Sequence, residues 1–279
     1  MKVRRPDGPV LKWAGGKTHL LPRILERLPA RMETYFEPFV GGGAVFFALA
    51  REQRFRQAVI ADQNEDLVEV YSAIRDDVDA VIHALRRYRY DEETYYRVRA
   101  AKPRKATHRA ARLIFLNRTG YNGLYRVNSK GEFNVPFGRH KNPKICDEAN
   151  LRSAARALEH VTIRNADFQA VCADARPGDA VYLDPPYLPV SATSSFAAYD
   201  RHPFGLTEHQ RLAHVFGELA DRRVDAVLSN SLTEETRRLF RLWHLEEVAV
   251  PRFINSRPDS RGPVHEILVV NRPAAARSR

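Results

Sequence analysis

The segment TYFEPFVGGGAVFFALA, followed by AVIAD, constrains the fold of this chain more than any other part of it. An apolar run ends in glycines at residues 41–43, an apolar helical stretch follows, and a second short apolar run ends at Asp62. Strand, glycine turn, helix and strand in this order predict a βαβ unit, and hence parallel strands. Glycines at such a turn allow a ligand to lie against bare backbone. We therefore expect an α/β fold with a ligand at this turn, and a tight turn without a ligand is the alternative.

Asp62 ends the second apolar run. Dinucleotide-binding folds place a ribose-binding acid about 20 residues past the glycines, close to this spacing. A helix N-cap for the segment that begins QNEDL is the alternative interpretation of the same carboxylate. The Gly-Lys-Thr of LKWAGGKTHL does not indicate a phosphate-binding loop, because Leu11 stands where the first glycine of that motif belongs and no strand precedes it.

The motif Asp184-Pro185-Pro186-Tyr187 comes directly after the apolar run AVYL. Parallel sheets bind ligands beyond the carboxyl ends of their strands, so this is a position for chemistry. The amine of an aromatic base is a poor nucleophile, and two hydrogen-bond acceptors would help such an amine toward tetrahedral geometry. Asp184 offers a carboxylate, Pro185 a carbonyl that no helix uses, and Tyr187 a flat face for an extruded base. The alternative is a strand end followed by a proline-stiffened turn.

The composition of residues 65–150 predicts an insertion. This stretch is first helical and then basic, polar and glycine-rich, and LYRV and EFNV joined by NSKG predict a β-hairpin. Apolar runs return afterwards in VTIRNADF, DAVYLDPPY, DAVLSNS and EILVVN, and Thr207 with Gln210 predicts a capping box before a helix. We therefore expect a core formed by residues 1–64 and 151–279, with a mainly helical domain inserted at 65–150.

The net charge of +11 favours a polyanionic partner, and a basic surface that binds nothing is the alternative. Cys146 and Cys172 have neither metal-ligand nor CxxC spacing, so we expect reduced thiols and a cytoplasmic protein. No signal peptide is recognisable, and no run approaches the ~20 apolar residues of a membrane span. A metal site and a membrane partner are not expected.

Six motifs in one order resemble the Dam-type DNA adenine methyltransferases. They are LKWAGGK, EPFVGGGAVF, IADQNEDL, FLNRTGYNGLYRVNSKGEFNVPFGRHKNP, YLDPPY, and VLSNS with RGPVHEILVVN. The resemblance covers nearly the whole chain, and its motif order is that of the α group of amino-methyltransferases. It implies a Rossmann-like core that binds S-adenosylmethionine, with an inserted target-recognition domain that carries the hairpin.

The resemblance also implies roles for individual residues. It assigns catalysis to Asp184, Pro185 and Tyr187, and cofactor binding to Trp13, Lys17, Phe39, Gly41, Gly43, Asp62, Asp167, Phe168 and Asp184. It assigns DNA contacts to Lys12, Tyr121, Asn122, Leu124, Arg126 and Pro136. The alternatives are a core position for Trp13, a strand end turning into a helix for the NADF segment, hairpin packing for Tyr121, and a phosphate contact or a solvated charge for Arg126.

The implied reaction is transfer of a methyl group to adenine N6 in duplex DNA by direct attack, without a metal or a covalent intermediate. GATC is the target that the hairpin resemblance favours. Cytosine N4 or an RNA base as acceptor, and a DNA-binding protein without catalysis, are the alternative functions. No obligate protein partner is implied, a monomer is the expected state, and a prokaryotic or phage protein associated with the nucleoid is the expected setting.

Overall fold

A computed structural model describes residues 8–13, 15–17, 19–188, 204–250 and 264–271 of the chain. Ala14 of the LKWAGGK motif and residues 261–263 of the RGPVHEILVVN motif lie outside the described residues. The chain divides into two compact units. The first comprises Met1–Gly16, Val40–Gln53 and Ala58–Ala166, and the second comprises Lys17–Phe39, Arg54–Gln57 and Asp167–Arg279.

Helices and strands alternate along much of the described sequence. The helices are α1 (Leu21–Arg27), α2 (Ala44–Glu52), α3 (Glu65–Arg86), α4 (Glu92–Ala100), α5 (Ala106–Thr119), α6 (Glu148–Leu158), α7 (Phe168–Cys172), α8 (Leu206–Asp221) and α9 (Glu234–Phe240), with a short 3-10 turn at Tyr121–Gly123. The strands are β1 (Met32–Glu37), β2 (Phe55–Asp62), β3 (Val161–Asn165), β4 (Ala180–Leu183), β5 (Asp225–Ser231), β6 (His244–Val250) and β7 (Val264–Val270).

The strands form one mixed sheet of seven strands in the order β3-β2-β1-β4-β5-β7-β6. In the first unit, β2 and β3 are parallel, and Asp62 lies opposite Asn165. In the second unit, β4 is parallel to both β1 and β5, whereas β7 is antiparallel to β5 and β6. The α/β fold predicted from the glycine segment is confirmed, and its two strands each pair in parallel with a further strand, β1 with β4 and β2 with β3. Strand β6 was not predicted, because the charged pair in HLEEVAV hides its apolar alternation.

Local sequence signals explain where α2 and α3 begin. Gly43 precedes α2 with a positive φ of 70°, a conformation that glycine adopts without strain. Asn64 caps α3, since its side-chain oxygen accepts a hydrogen bond from Leu67 N at 3.2 Å. Asp62 is therefore not the N-cap of this helix, and the alternative interpretation of that carboxylate is wrong.

Each unit has its own aromatic core. Phe46, Phe47, Tyr71, Tyr95 and Phe115 are fully buried in the first unit, and Tyr35, Phe168, Tyr182, Phe216 and Phe240 are fully buried in the second. Within the described ranges, no helix is long and apolar enough to cross a membrane.

Two local predictions differ from the structure. Helix α8 begins at Leu206 after Gly205, which makes no side-chain cap, so the capping box predicted for Thr207 is wrong. Glycine is tolerated at an N-cap, and the helix starts two residues earlier than a cap at Thr207 would place it. The arms LYRV and EFNV do not form continuous strands either. They are joined by an isolated antiparallel bridge between Val127 and Phe133 and by a tight turn in which Gly131 N donates to Asn128 O at 2.9 Å.

Candidate active site

Asp184 lies directly after β4 in the second unit, where two donors hold one of its carboxylate oxygens. Lys17 Nζ lies 2.8 Å from Oδ1, and the Ser229 hydroxyl donates to the same oxygen at 2.9 Å. Lys17 is only 6% exposed, so its ammonium group needs this anionic partner to offset the loss of water. The register that pairs Leu183 with Leu228 places Asp184, just past the end of β4, beside Ser229 in the parallel strand β5. The predicted catalytic carboxylate is thus an oriented, partly buried anion.

The ring of Tyr187 packs beside the same cation. Lys17 Nζ lies 4.7 Å from the ring centroid, and the Tyr187 hydroxyl donates to Glu266 Oε2 on β7 at 2.7 Å. The ring is therefore fixed at its hydroxyl end by Glu266. Pro185 is buried, and no donor from the described part of the chain reaches its carbonyl. Lys17, Asp184 and Tyr187, predicted separately from sequence, lie together in the second unit.

Burial and neighbouring groups have opposite effects on the pKa of Asp184. Burial raises the pKa of Asp184, while the Lys17 ammonium and the Ser229 hydroxyl lower it. Burial also raises the pKa of Tyr187 well above its usual value, and the negative charges of Asp184 and Glu266 raise it further. Tyr187 is therefore a neutral hydrogen-bond donor, and Asp184 needs both of its donors to remain an effective anionic acceptor.

Asp62 and the glycine turn form one structure in the first unit. Gly41 N donates to Asp62 Oδ2 at 3.1 Å, and Asn64 N donates to Oδ1 at 2.9 Å. Tyr71 donates its hydroxyl hydrogen to Gly41 O at 2.7 Å. Gly41 has a positive φ of 47°, and a side chain there would approach Trp13 Cδ1 to 3.0 Å. These contacts hold a bare backbone turn beside a carboxylate that can still accept hydrogen bonds from a ligand.

Trp13 covers this turn from the N-terminal segment. Its ring packs over Gly41, its Cβ lies beside Gly42, and its ring centroid lies 5.1 Å from that of Tyr125. The indole is only half-buried, so the alternative of an ordinary core position does not describe it.

Phe168 of the NADF segment and Phe39 meet in the second unit. The Phe39 and Phe168 rings are stacked with centroids 5.4 Å apart, and the Arg211 guanidinium lies 4.4 Å from the Phe168 centroid. Asp167 caps α7 by accepting from Gln169 N at 2.9 Å, and its other carboxylate oxygen pairs with Arg211. The strand end does turn into a helix here, as the alternative interpretation held, and the assigned cofactor role of Asp167 stays a prediction.

The predicted DNA residue Lys12 is held by the side chain of Asn117 in the first unit. Asn117 Oδ1 accepts from Lys12 N at 2.8 Å, and its amide group donates to Lys12 O at 2.7 Å and to Gly123 O at 3.0 Å. Asn117 is 1% exposed, whereas Lys12 is exposed. The buried amide thus joins Lys12 to the turn that follows Tyr121.

Most of the other predicted DNA residues are at the surface of the 120–138 loop. Tyr121 is 54% exposed and Leu124 is 40% exposed, so hairpin packing does not account for Tyr121. Asn122 and Pro136 are also exposed, and Asn122 has a positive φ of 53°. Apolar side chains at a protein surface are often contact points for a partner. Tyr121 N donates to Pro136 O at 2.9 Å, which brings the two arms of the loop together.

Arg126 is turned along the loop. Its guanidinium donates to Asn134 O through Nε at 3.1 Å and through Nη2 at 2.5 Å. Arginine carries five donors, and this contact uses its Nε and one Nη2 hydrogen. At the base of the loop the backbone approaches itself closely. A side chain at Gly138 would meet Gly120 O at 2.6 Å, and one at Gly120 would meet Leu116 O at the same distance.

Sequence reasoning missed four residues that support these positions, namely Tyr71, Asn117, Ser229 and Glu266. The signal for Ser229 was present, because VLSNS places polar residues inside an otherwise apolar strand. Each of these side chains has a partner 30 or more residues away, and a local motif could not reveal that contact.

Comparisons with known proteins extend over the same residues. Residues 13–252 match the family described as D12 class N6 adenine-specific DNA methyltransferase. The chain is 42% identical to the type II methyltransferase M.MjaIII of Methanocaldococcus jannaschii, over 94% of this chain and 98% of that protein. It is 37% identical to the type II methyltransferase M1.LlaDCHI of Lactococcus lactis subsp. cremoris, over 94% and 95% of the two chains. It is 38% identical to the DNA adenine methylase of Escherichia coli (strain K12), again over 94% and 95%. Among solved structures, a precorrin 8w decarboxylase from Methanobacterium thermoautotrophicum aligns over 96% of this chain and 98% of that one with a TM-score of 0.42 and 11% identity, a likeness on which nothing further rests.

Proposed function

This chain belongs to the D12 class of N6 adenine-specific DNA methyltransferases, and we propose that its target is the adenine of GATC and that Asp184 carries the reaction. Membership of this family makes it an S-adenosylmethionine-dependent enzyme that acts on DNA. It also decides against cytosine N4 and RNA, the acceptors that the sequence motifs alone had left open.

The observation that carries the catalytic proposal is the fixed carboxylate of Asp184 after β4. An adenine amine that attacks a methyl group becomes positively charged, and an acceptor aimed at its N–H stabilises that charge. Asp184 supplies this acceptor, and the carbonyl of Pro185 supplies the second. The ring of Tyr187, held by Glu266, provides the face on which a flipped base stacks.

The residues of each unit fit the cofactor. In the first unit, Asp62 offers an acceptor for a ribose beside the bare backbone of Gly41 and Gly43, and Trp13 covers that turn. In the second unit, the stacked rings of Phe39 and Phe168, with Asp167 beside them, suit a flat base, and Lys17 and Asp184 suit a charged ligand. When bound, S-adenosylmethionine supplies an electrophilic methyl group. The roles of these residues are orientation of the ligand and exclusion of water.

The proposed target-recognition domain comprises residues 65–150. Its exposed loop 120–138 would enter a duplex with Tyr121 and Asn122 near the flipped base. Leu124, Arg126 and Pro136 would read base edges, and Lys12 would read a separate base. Arginine suits bidentate contact with guanine, which supports a G in the target. We propose that one chain suffices for this recognition, so that a monomer is the working form.

Two features support GATC. The sequence of the 120–138 loop resembles that of GATC-recognising Dam-type enzymes, and the chain is 38% identical to a DNA adenine methylase. Two of its relatives are type II methyltransferases. We therefore propose that this enzyme works together with a restriction nuclease in the cell.

Restriction protection tests the target directly. Plasmid treated with the enzyme and S-adenosylmethionine is digested with nucleases that differ in their sensitivity to GATC methylation. Protection from the blocked nuclease alone is the expected pattern. Methylated adenine in the product together with full cleavage at GATC would show that the enzyme reads another sequence.

Replacement of Asp184 tests the catalytic role. Asp184→Asn keeps the size of the side chain but loses the charge, and Asp184→Ala loses both. We expect single-turnover methyl transfer to fall by roughly 100-fold or more in both variants, with duplex binding retained. A folded variant that transfers methyl groups at a rate near that of the unmodified enzyme would remove Asp184 from the mechanism.

A further inference from the structure

We propose that Ser229 is a positioning residue for catalysis, and that its hydroxyl fixes the carboxylate of Asp184 so that Oδ2 is presented to the target amine. This inference rests on the catalytic role proposed above for Asp184. It assigns a function to the first serine of the SNS sequence on β5.

The two donors to Asp184 converge on the same oxygen. Lys17 Nζ lies 2.8 Å from Oδ1 and Ser229 Oγ lies 2.9 Å from Oδ1. A carboxylate held by one donor can swivel about its last torsion and exchange its two oxygens. Two donors that reach Oδ1 from different segments of the chain restrict this motion, and Oδ2 then keeps one direction.

The direction of the hydrogen bonds follows from the charges. Ser229 has a single hydroxyl hydrogen, and an ionised Asp184 can only accept it. Tyr182 lies 2.8 Å from Ser229 Oγ, so the tyrosine must be the donor in that contact. The result is a chain from Tyr182 through Ser229 to Asp184. Ser229 is 0% exposed and Tyr182 is 1% exposed, so water does not compete for either hydroxyl. Successive hydrogen bonds of this kind strengthen one another in a buried site.

The groups around Asp184 determine how strongly the Ser229 hydroxyl affects the pKa of that carboxylate. Six titratable groups of the second unit surround Asp184. Four of them lie on strands, namely Tyr35 and Glu37 on β1, Tyr182 on β4 and Glu266 on β7, and the other two are Lys17 and Tyr187. Lys17 is the cation among them, and burial of Asp184 acts against its charge. Removal of the Ser229 hydroxyl therefore raises the pKa of Asp184, because a donor to the ionised form is lost.

The test is the pH profile of single-turnover methyl transfer for Ser229→Ala. A hydrogen bond to a charged group is lost, so we expect a rate roughly 10- to 100-fold lower and an acid limb shifted to higher pH. Duplex affinity and cofactor affinity should stay at the level of the unmodified enzyme. Ser229→Thr keeps the hydroxyl and should restore the position of the acid limb.

Tyr182→Phe probes the same chain without touching Ser229. Its acid limb should move in the same direction by a smaller amount. Because Tyr182 acts through Ser229, the double variant should behave like Ser229→Ala alone. If Ser229→Ala fails to fold, Tyr182→Phe carries the test, and an unmoved limb in that folded variant overturns the proposal.

Ser231→Ala is the matched control. Ser231 is also a buried serine on β5, but its hydroxyl donates to Leu188 O at 2.7 Å. Its acid limb should stay in place. An unmoved limb in Ser229→Ala, or additive losses in the double variant, would mean that Ser229 only supports the strand. An active Asp184→Asn would instead overturn the role of Asp184 itself, so the two failures are distinguishable.

Discussion

The side-chain amide of Asn117 pairs with both backbone polar groups of Lys12. Asn117 Oδ1 accepts from Lys12 N at 2.8 Å and Asn117 Nδ2 donates to Lys12 O at 2.7 Å. A third bond reaches Gly123 O at 3.0 Å. One buried side chain therefore sets the position of the N-terminal segment and of the 120–138 loop, which the proposed function uses as two separate readers of DNA.

Asn117→Ala should destabilise the protein. The variant leaves the buried polar groups at Lys12 and Gly123 without their partner, and such a loss costs about 1–3 kcal/mol for each group. We expect a drop of that size or larger in the free energy of unfolding, measured by urea denaturation, together with weaker duplex binding. Asn134→Ala, at an exposed asparagine of the same loop, is the control and should change the free energy of unfolding by less than ~0.5 kcal/mol. Equal stability of the two variants would show that the amide bonds contribute nothing net.

The contact between Tyr187 and Glu266 separates the ring from its hydroxyl. Tyr187→Phe keeps the flat face and loses the 2.7 Å bond to Glu266, whereas Tyr187→Ala loses both. Stacking of a flipped base contributes about 1–3 kcal/mol, so Tyr187→Ala should lose much more single-turnover rate than Tyr187→Phe. A duplex with 2-aminopurine at the target position reports base flipping by fluorescence. Equal losses in the two variants would mean that the hydroxyl, and not the ring face, matters.

Asp62→Asn tests the ribose contact. The amide variant keeps the size of the side chain but not the charge, and it should weaken binding of S-adenosylhomocysteine by ~1.5–3 kcal/mol in a calorimetric titration. Because Asp62 also holds Gly41 N, circular dichroism must show that the variant is folded. Asn64→Ala removes the cap of α3 and leaves the carboxylate in place, so its cofactor affinity should stay normal. Unchanged affinity in Asp62→Asn would assign this carboxylate to the turn alone.

Lys17→Met should shift the pH dependence of methyl transfer. Burial already raises the pKa of Asp184, and Lys17 lowers it, so loss of the cation raises that pKa further. In the proposed mechanism, activity needs the ionised carboxylate of Asp184. It is present above this pKa and is lost as the pH falls through it, so the acid limb moves to higher pH. The stability of the variant should show the opposite trend, falling as the pH rises and the unpaired carboxylate ionises.

Arg56→Met is the control for this loss of charge. Arg56 is a cation of the same unit whose side chain is 80% exposed beside Glu33. It should leave both the acid limb and the pH dependence of stability unchanged. A limb that stays in place in Lys17→Met would show that Asp184 does not set it.

The predictable part of the site consists of residues next to a strong local signal. The βαβ unit and the position of Asp62 followed from one stretch of apolar runs and glycines. Asp184 followed from a strand that ends at a proline pair. In each case the residue lies within a few positions of the pattern that identifies it, so neither the sheet order nor any distant contact was needed.

The partners of these residues could not be predicted because they depend on register between distant segments. Ser229 lies beside Asp184 only because β4 and β5 pair with Leu183 opposite Leu228. The predicted hairpin was wrong for a related reason. LYRV and EFNV alternate between apolar and polar residues as strands do, but they form only an isolated bridge. Val135 O accepts from the Tyr95 hydroxyl at 2.9 Å and from Arg99 at 3.2 Å, so helix side chains take the place of a strand ladder.

The close backbone approach of Gly120 and Gly138 has a practical consequence for redesign. With both ends of the loop clamped by main chain, the exposed positions 121, 124 and 136 can be randomised while the supporting geometry is inherited, whereas position 122 has a positive φ of 53° and suits Asn, Asp or Gly. In libraries that also vary 120, 123 or 138, most variants would carry a side chain that prevents the loop from closing. Under the proposed recognition of DNA by this loop, retargeting the enzyme to a new sequence is a search over a small set of surface side chains on a fixed main-chain support.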